Sequence, residues 1–207
     1  LSDPNTPRHI KSELDVRDLT VDILINNAGY GVPGTYLANS WETHAASNQV
    51  MVTAVAELSR ILIPAMVSKQ QGAIINVASI AGLIPSTAGH TLYGAVKSWM
   101  IRFSEALFAE LKTEQIKVIA VCPGFTYSEF HDVTGSRATV SKLPKLFWLT
   151  SEQVAEKSIA ALQGAKKPIY VPGKFNKFLV CLNTFLPEFI VTRLLDRYSH
   201  IARITNN

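Results

Sequence analysis

Cysteine is scarce in this chain. Its 207 residues contain two, Cys122 and Cys181, both among apolar neighbours. Two buried-type thiols make no disulfide framework and fit a reducing, cytoplasmic compartment. The five histidines are scattered, and no Cys/His spacing of the zinc-binding kind occurs, so no metal is expected. Long apolar runs are missing from the tail, where residues 178–182 (FLVCL) are far too short to span a bilayer. The first residues have no signal-peptide pattern. Charge of one sign is also missing over most of the chain. Residues 1–150 hold 12 Lys+Arg and 12 Asp+Glu, residues 151–207 hold 8 and 4, and the net +4 lies in the tail. That excess, without interleaved aromatics, does not point to nucleic acid.

The sequence does have apolar runs separated by helical patterns. Hydrophobic content of 47% with 17% charge gives a globular chain of one domain, residues 1–207. Asp3 and Pro4 read as the N-cap and first position of a polar helix reaching Asp18. Residues 21–25 (VDILI), 73–77 (AIINV), 117–122 (KVIAVC) and 168–171 (PIYV) read as buried strands. Between the first two lies a helical pattern over residues 41–68, capped by Ser40, with a bend expected at Pro64. Thr150-Ser151-Glu152 caps a further helix. Alternating strands and helices predict an α/β fold with a parallel, doubly wound, Rossmann-like sheet.

Three strands end in polar or glycine-rich turns: Asn26-Asn27-Ala28-Gly29, Ser79 and Pro123-Gly124. Ligands of open α/β sheets bind at such carboxyl ends. Tyr93 and Lys97 stand four apart at the start of a helical pattern, so the phenol and the ammonium share a face. With Ser79 across the loop they form a candidate proton-transfer site. Ser86 and Thr87 are nearby hydroxyls, but only Ser79 follows the strand. Each motif also has a plainer reading: a turn, a strand-end serine, a helix-surface pair.

In this order the motifs Asn26–Gly29, Asn48, Ser79, Tyr93-x-x-x-Lys97 and Pro123-Gly124 resemble the short-chain dehydrogenase/reductase family. The resemblance implies an NAD(P)-dependent oxidoreductase. It would move a hydride between nicotinamide and a carbonyl or secondary alcohol. It makes Tyr93 the general acid/base, Ser79 a donor to the substrate oxygen, Lys97 a partner of the phenol and the ribose, and Asn48 the holder of a relay water. It places Asn26, Ala28, Gly29, Tyr93, Lys97, Pro123, Gly124 and Thr126 or Ser128 along the cofactor. Either NAD or NADP fits, with NADPH favoured on family grounds alone. The family's opening strand, glycine-rich turn and second strand have no counterpart here, and an N-terminally incomplete fold is expected. The alternative reading is therefore an inactive truncated chain acting as an interaction module.

Residues 125–165 are expected to carry the substrate lid. Phe147 and Trp148 at the end of its irregular part lean towards lipophilic substrates. The apolar patterns of residues 41–68 and of the helix after Tyr93 suggest an interface, hence a homodimer or homotetramer. In the tail, residues 174–203, Phe175, Phe178, Leu179, Leu182 and Leu186 repeat at helical spacing, followed after Pro187 by Ile190, Leu194, Leu195, Tyr198 and Ile201, edged by Lys and Arg. Such a stripe can pack on its own domain, cover a substrate, join a dimer or lie peripherally on a membrane.

Overall fold

The computed structural model describes residues 1–86, 88–134, 137–187 and 189–193. The second tail repeat, from Leu194 on, lies outside the described residues, as does Thr87. The apolar runs form a parallel sheet. Strands β1 (Ile23–Asn26), β2 (Gly72–Val77) and β3 (Ile116–Val121) pair in the order β1-β2-β3, and a short strand, Ile169–Tyr170, closes the far edge. The register is Ile25↔Ile75 and Ile75↔Ile119, so every strand ends at the same rim of the sheet.

Such apolar strands need cover on both faces. On one face Leu24, Ile74 and Val118 meet Leu58, Leu62 and Met66, and Ala78, Ala120 and Cys122 meet Val55, Met100 and Ile101. On the other face Ala73, Ile75, Ile119 and Val121 meet Leu162. This second layer does not reach β1, whose Ile23 and Ile25 stay exposed. Each buried leucine of the first layer contributes about 1.5–3 kcal/mol.

The helices follow their caps, with two differences from expectation. Helix α1 (Thr6–Val16) starts at Thr6, with Pro7 in its second position, and not at Pro4, because the Asp3 carboxylate accepts from Asn5 N at 2.8 Å and holds the preceding turn. Helix α2 (Trp41–Asn48) begins at Ser40 as expected, with Thr43 N donating to the Ser40 hydroxyl. It then passes through a π turn, Gln49–Thr53, into α3 (Ala54–Lys69). The irregularity therefore falls after Asn48, and α3 continues through Pro64, which is exposed on its outer side. There the carbonyl deprived of its donor can reach water. Residues Trp41–Lys69 are long and apolar enough to cross a membrane, but much of this stretch is the core helix layer just described.

Helix α4 (Thr91–Glu110) buries Val96, Lys97, Met100, Ile101 and Ser104 along one face. After β3 the chain makes an excursion whose base is closed by a second sheet. There β4 (Phe125–Tyr127) pairs in parallel with β5 (Trp148–Thr150). Short helices α5 (Phe130–Val133) and α6 (Arg137–Val140) fill it. Helix α7 (Ser151–Gln163) opens with a Thr150–Gln153 capping box. Its Leu162 belongs to the sheet's second layer, so only residues 128–147 of the 125–165 region stand out as an excursion. The edge strand Ile169–Tyr170, β6 in chain order, leads through Gly173 to α8 (Lys174–Phe185).

Candidate active site

Parallel pairing brings the ends of β1, β2 and β3 to one rim, and the rim continues past the strands. Ala78 N donates to Val121 O at 2.7 Å and Ile80 N to Pro123 O at 3.0 Å, holding the turn that carries Ser79. The Ser79 hydroxyl accepts from Ala81 N at 3.1 Å, capping the short turn Ile80–Gly82. Gly82 rests on α4 so closely that a Cβ there would lie 2.5 Å from the backbone carbon of Lys97. Glycine at this position sets the distance between Ser79 and the Tyr93–Lys97 turn.

Lys97 is 4% exposed and donates its Nζ to Val77 O at 2.7 Å. Tyr93 lies one helical turn nearer the N-terminus, so its ring stands farther out from the sheet rim. The Lys97 ammonium sits over that ring, 5.7 Å from its centroid, and the Ser79 hydroxyl, which donates to Pro123 O at 3.4 Å, is close enough to act on the ionisation of the phenol. The three residues expected to form the site are therefore together.

Burial sets the ionisation of both groups. Burial pushes the Tyr93 phenol up to about 12, against an opposing pull from Ser79. Burial also brings the Lys97 ammonium down to about 8. At neutral pH the lysine is a cation and the tyrosine a protonated donor. Cys122, beside Lys97, is pushed up to about 12 by burial and is no nucleophile.

The remaining expected residues divide. Asn26 is buried and donates to Asn76 Oδ1 at 2.8 Å, while Asn76 donates to Ser104 Oγ at 2.8 Å and Ser104 to Met100 O at 2.7 Å. This chain ties β1, β2 and α4 together under the rim, so Asn26 has a structural task. Asn76 and Ser104 are its other links. A polar residue inside the run AIINV is the sequence signal for the first of them.

Gly29 and Ala28 are exposed at the rim. A Cβ on Gly29 would come within 3.0 Å of Met51 Sδ and 3.7 Å of Lys97 Nζ, so glycine keeps the space beside Lys97 open. Asn48 ends α2 where the π turn begins. Gly124 takes the close approach of Asn176, whose Oδ1 would be 2.4 Å from a Cβ there, and Pro123 O accepts from Ile80 N. Thr126 donates back to Gly124 O at 3.1 Å, and Ser128 accepts from Phe130 N at 3.4 Å.

Phe130 packs against the Tyr93 ring, with centroids 5.5 Å apart. Phe147 and Trp148, which suggested lipophilic substrates, are taken up elsewhere. Phe147 meets Phe175, and Trp148 is buried among Phe125, Tyr127 and His131. The space beside Tyr93 is instead a small open pocket, lined among others by Tyr30, Val32, Tyr36, His44 and Ser47. His44 stacks on Tyr36 and its Nε2 lies 2.8 Å from Tyr36 O.

A nicotinamide cofactor fits part of this arrangement. Lys97 has two further N–H bonds beyond the one to Val77 O, and the glycine-lined space at Gly29 adjoins them. A ribose hydroxyl pair matches such donors. Among the described residues no group of His, Cys, Asp or Glu could hold a metal ion.

Residues 5–138 match the short chain dehydrogenase family model. Nodulation protein G of a Rhizobium species is 35% identical over 170 residues, covering 79% of this chain and 66% of that protein. A 3-oxoacyl-[acyl-carrier-protein] reductase of Vibrio cholerae is 30% identical over 157 residues, covering 74% and 63%. The chain thus spans less than two thirds of the length of the Vibrio relative and just under that of the Rhizobium one. A Sphingobium yanoikuyae short-chain dehydrogenase solved with NADPH superposes with a TM-score of 0.74 at 24% identity, covering 91% of this chain and 74% of that one. With Tyr93, Lys97 and Ser79 together at the rim of a parallel sheet, the chain belongs to the short chain dehydrogenase family.

Proposed function

We propose that the protein carrying this chain is an NAD(P)-dependent oxidoreductase acting on the carbonyl or secondary alcohol of a small molecule. The observation that carries the reading is the convergence of Ser79, Tyr93 and Lys97 at the sheet rim, with Tyr93 bordering a pocket. The bound nicotinamide supplies or accepts the hydride. In reduction, Tyr93 donates its phenolic proton to the substrate oxygen as the carbonyl π electrons move onto that oxygen. Ser79 donates a hydrogen bond to the same oxygen and shares its developing charge. Lys97 holds cofactor hydroxyls and keeps a positive charge near the phenolate that results. Asn26 supports the rim, whereas Ala28, Gly29, Pro123, Gly124 and either Thr126 or Ser128 border the cofactor. Asn48, at the π turn, offers a backbone carbonyl for a water that returns the proton. The reading leaves NAD and NADP open, and NADPH is the first cofactor to try.

Replacing Tyr93 by Phe removes the proton but leaves the ring's contact with Phe130. Turnover of a ketone panel with NADPH should fall by roughly 10²–10⁴ with the fold intact. Near-normal turnover in Tyr93→Phe would refute the assignment. The second reading is a chain that serves only as an interaction module. Calorimetry separates the two, because a module binds neither NADH nor NADPH. A homodimer or homotetramer belongs to the first reading. Trp99 and Phe103 stack on each other at 5.0 Å on α4 and stay partly exposed, a surface suited to a partner helix. A monomer by light scattering removes that element.

A further inference from the structure

Helix α8 is anchored by one side. Asn176 is buried against Gly124 and donates to Pro172 O at 2.9 Å, and Asn183 donates to Leu83 O at 3.2 Å. The opposite side carries Phe178, Leu182 and Phe185, spaced four and three apart, so they form one stripe. They are 58%, 39% and 80% exposed, and beyond the Leu186-Pro187 break Phe189 is 71% exposed. Leu146, 69% exposed, stands on the turn whose Phe147 touches Phe175 at the start of α8. Single exposed apolar residues are ordinary, but several large ones in one region mark a contact surface.

The charge on α8 and on the turn before Leu146 is of one sign, the nearest acidic residue along the chain being Glu188 beside Phe189. Lys174 and Lys177 on α8 and Lys142 and Lys145 near Leu146 are all exposed. No Asp or Glu occurs in residues 157–187. Helix α8 has no acidic residue in its first turn and starts on Lys174 at the positive end of its own dipole. That arrangement is unfavourable in water and is relieved by negative charge outside the helix. Pairing two copies of this face would set lysines against lysines with no acidic partner from the same stretch.

We propose that this face docks on an anionic lipid bilayer. Phe178, Leu182, Phe185 and Phe189 enter the boundary between headgroups and acyl chains, and Lys174, Lys177 and Lys145 meet lipid phosphates. An apolar stripe edged by basic residues binds in this manner, each lysine near the surface contributing about 1 kcal/mol. The inference does not rest on the reaction at Tyr93.

The test is co-sedimentation of the complete protein with phosphatidylcholine vesicles, with and without about 30 mol % phosphatidylglycerol. The wild type should bind the anionic vesicles at least about tenfold more tightly, and salt should weaken it. Phe178→Glu/Phe185→Glu and, separately, Lys174→Glu/Lys177→Glu should each lose about tenfold or more of that binding. All four side chains are exposed, so both variants should keep the wild-type circular dichroism. Should the first variant misfold, the lysine pair carries the test. Failure of the wild type to bind anionic vesicles, or equal binding by folded variants, overturns the proposal. So does a wild-type dimer that Phe178→Glu/Phe185→Glu turns into a monomer without vesicle binding, since the face then belongs to a second copy.

Discussion

Lys97 should cost the protein stability at neutral pH, and Lys97→Met should show it. The side chain is 4% exposed, its hydrogen-bond partner among the described residues is the Val77 carbonyl, and burial brings its pKa from 10.5 down to about 8. That fall corresponds to about 3 kcal/mol against the charged form. The pKa is lowered in the folded state, so the cost is fully present below about pH 8. It fades as pH rises from 8 towards 10.5, where the unfolded chain binds the proton and the folded chain does not. At pH 9.5 less than half of it remains. Methionine removes the charge but leaves Val77 O without a donor, a loss of about 1–3 kcal/mol. Lys97→Met should thus be equal to or up to about 2 kcal/mol more stable than the wild type at pH 7. Between pH 7 and 9.5 the wild type should gain about 2 kcal/mol on the variant. Urea denaturation of both proteins at the two pH values measures this. Other titrating groups are common to both and cancel in the difference; Tyr93 and Cys122, with folded-state values near 12, stay protonated in both folded proteins over this range and cancel likewise. A stability difference that stays constant or grows in the variant's favour as pH rises would show that Lys97 is not a buried cation, and the reasoning would fail.

Asn76→Ala removes the central link of the Asn26–Asn76–Ser104 chain and leaves the Asn26 amide without its buried acceptor. The loss should be about 2–3 kcal/mol in urea denaturation, and a neutral result would mean that water takes over the link. Gly82→Ala sets a methyl against the α4 backbone 2.5 Å away and must push the Ser79 turn outward. It should cost about 1–3 kcal/mol and lower kcat more than it raises KM, since it moves Ser79 away from Tyr93 without entering the cofactor space. Unchanged kcat would mean that the turn adjusts without moving Ser79.

Much of the sheet was legible because buried parallel strands show as short apolar runs, and all four ended within one residue of the expected place. The Ser40 and Thr150 caps were legible for a local reason: the side-chain oxygen and the backbone N–H it accepts from lie three residues apart. The π turn at Gln49–Thr53 was not, because one extra residue per turn hardly disturbs a pattern that is apolar on most sides, whereas Pro64 carries an obvious signal for a bend. The β4–β5 pair was hidden because three-residue strands such as FTY and WLT acquire their pairing from tertiary contact alone. That contact also decides the fate of Trp148, which looked like a substrate contact and is a buried prop of the excursion's base.

The site residues were legible as a set, but their energetics were not, since burial decides these and spacing says little about burial. Four-residue spacing puts a cation near a phenol and suggests a lowered phenol pKa. The structure instead puts the ammonium over the ring face, 5.7 Å from the centroid, and desolvates both groups. Desolvation disfavours the charged form of each, so it separates the two values and leaves the proton on Tyr93. A phenol held near 12 is a poor base at neutral pH and a competent acid towards an alkoxide, which binds a proton far more tightly. The same two side chains are therefore better prepared to complete a carbonyl reduction than to begin an alcohol oxidation. Oxidation should gain rate as pH rises towards the phenol's value, while reduction stays flat over the neutral range. Parallel pH profiles for the two directions would mean that the phenol titrates far lower during turnover than burial alone allows.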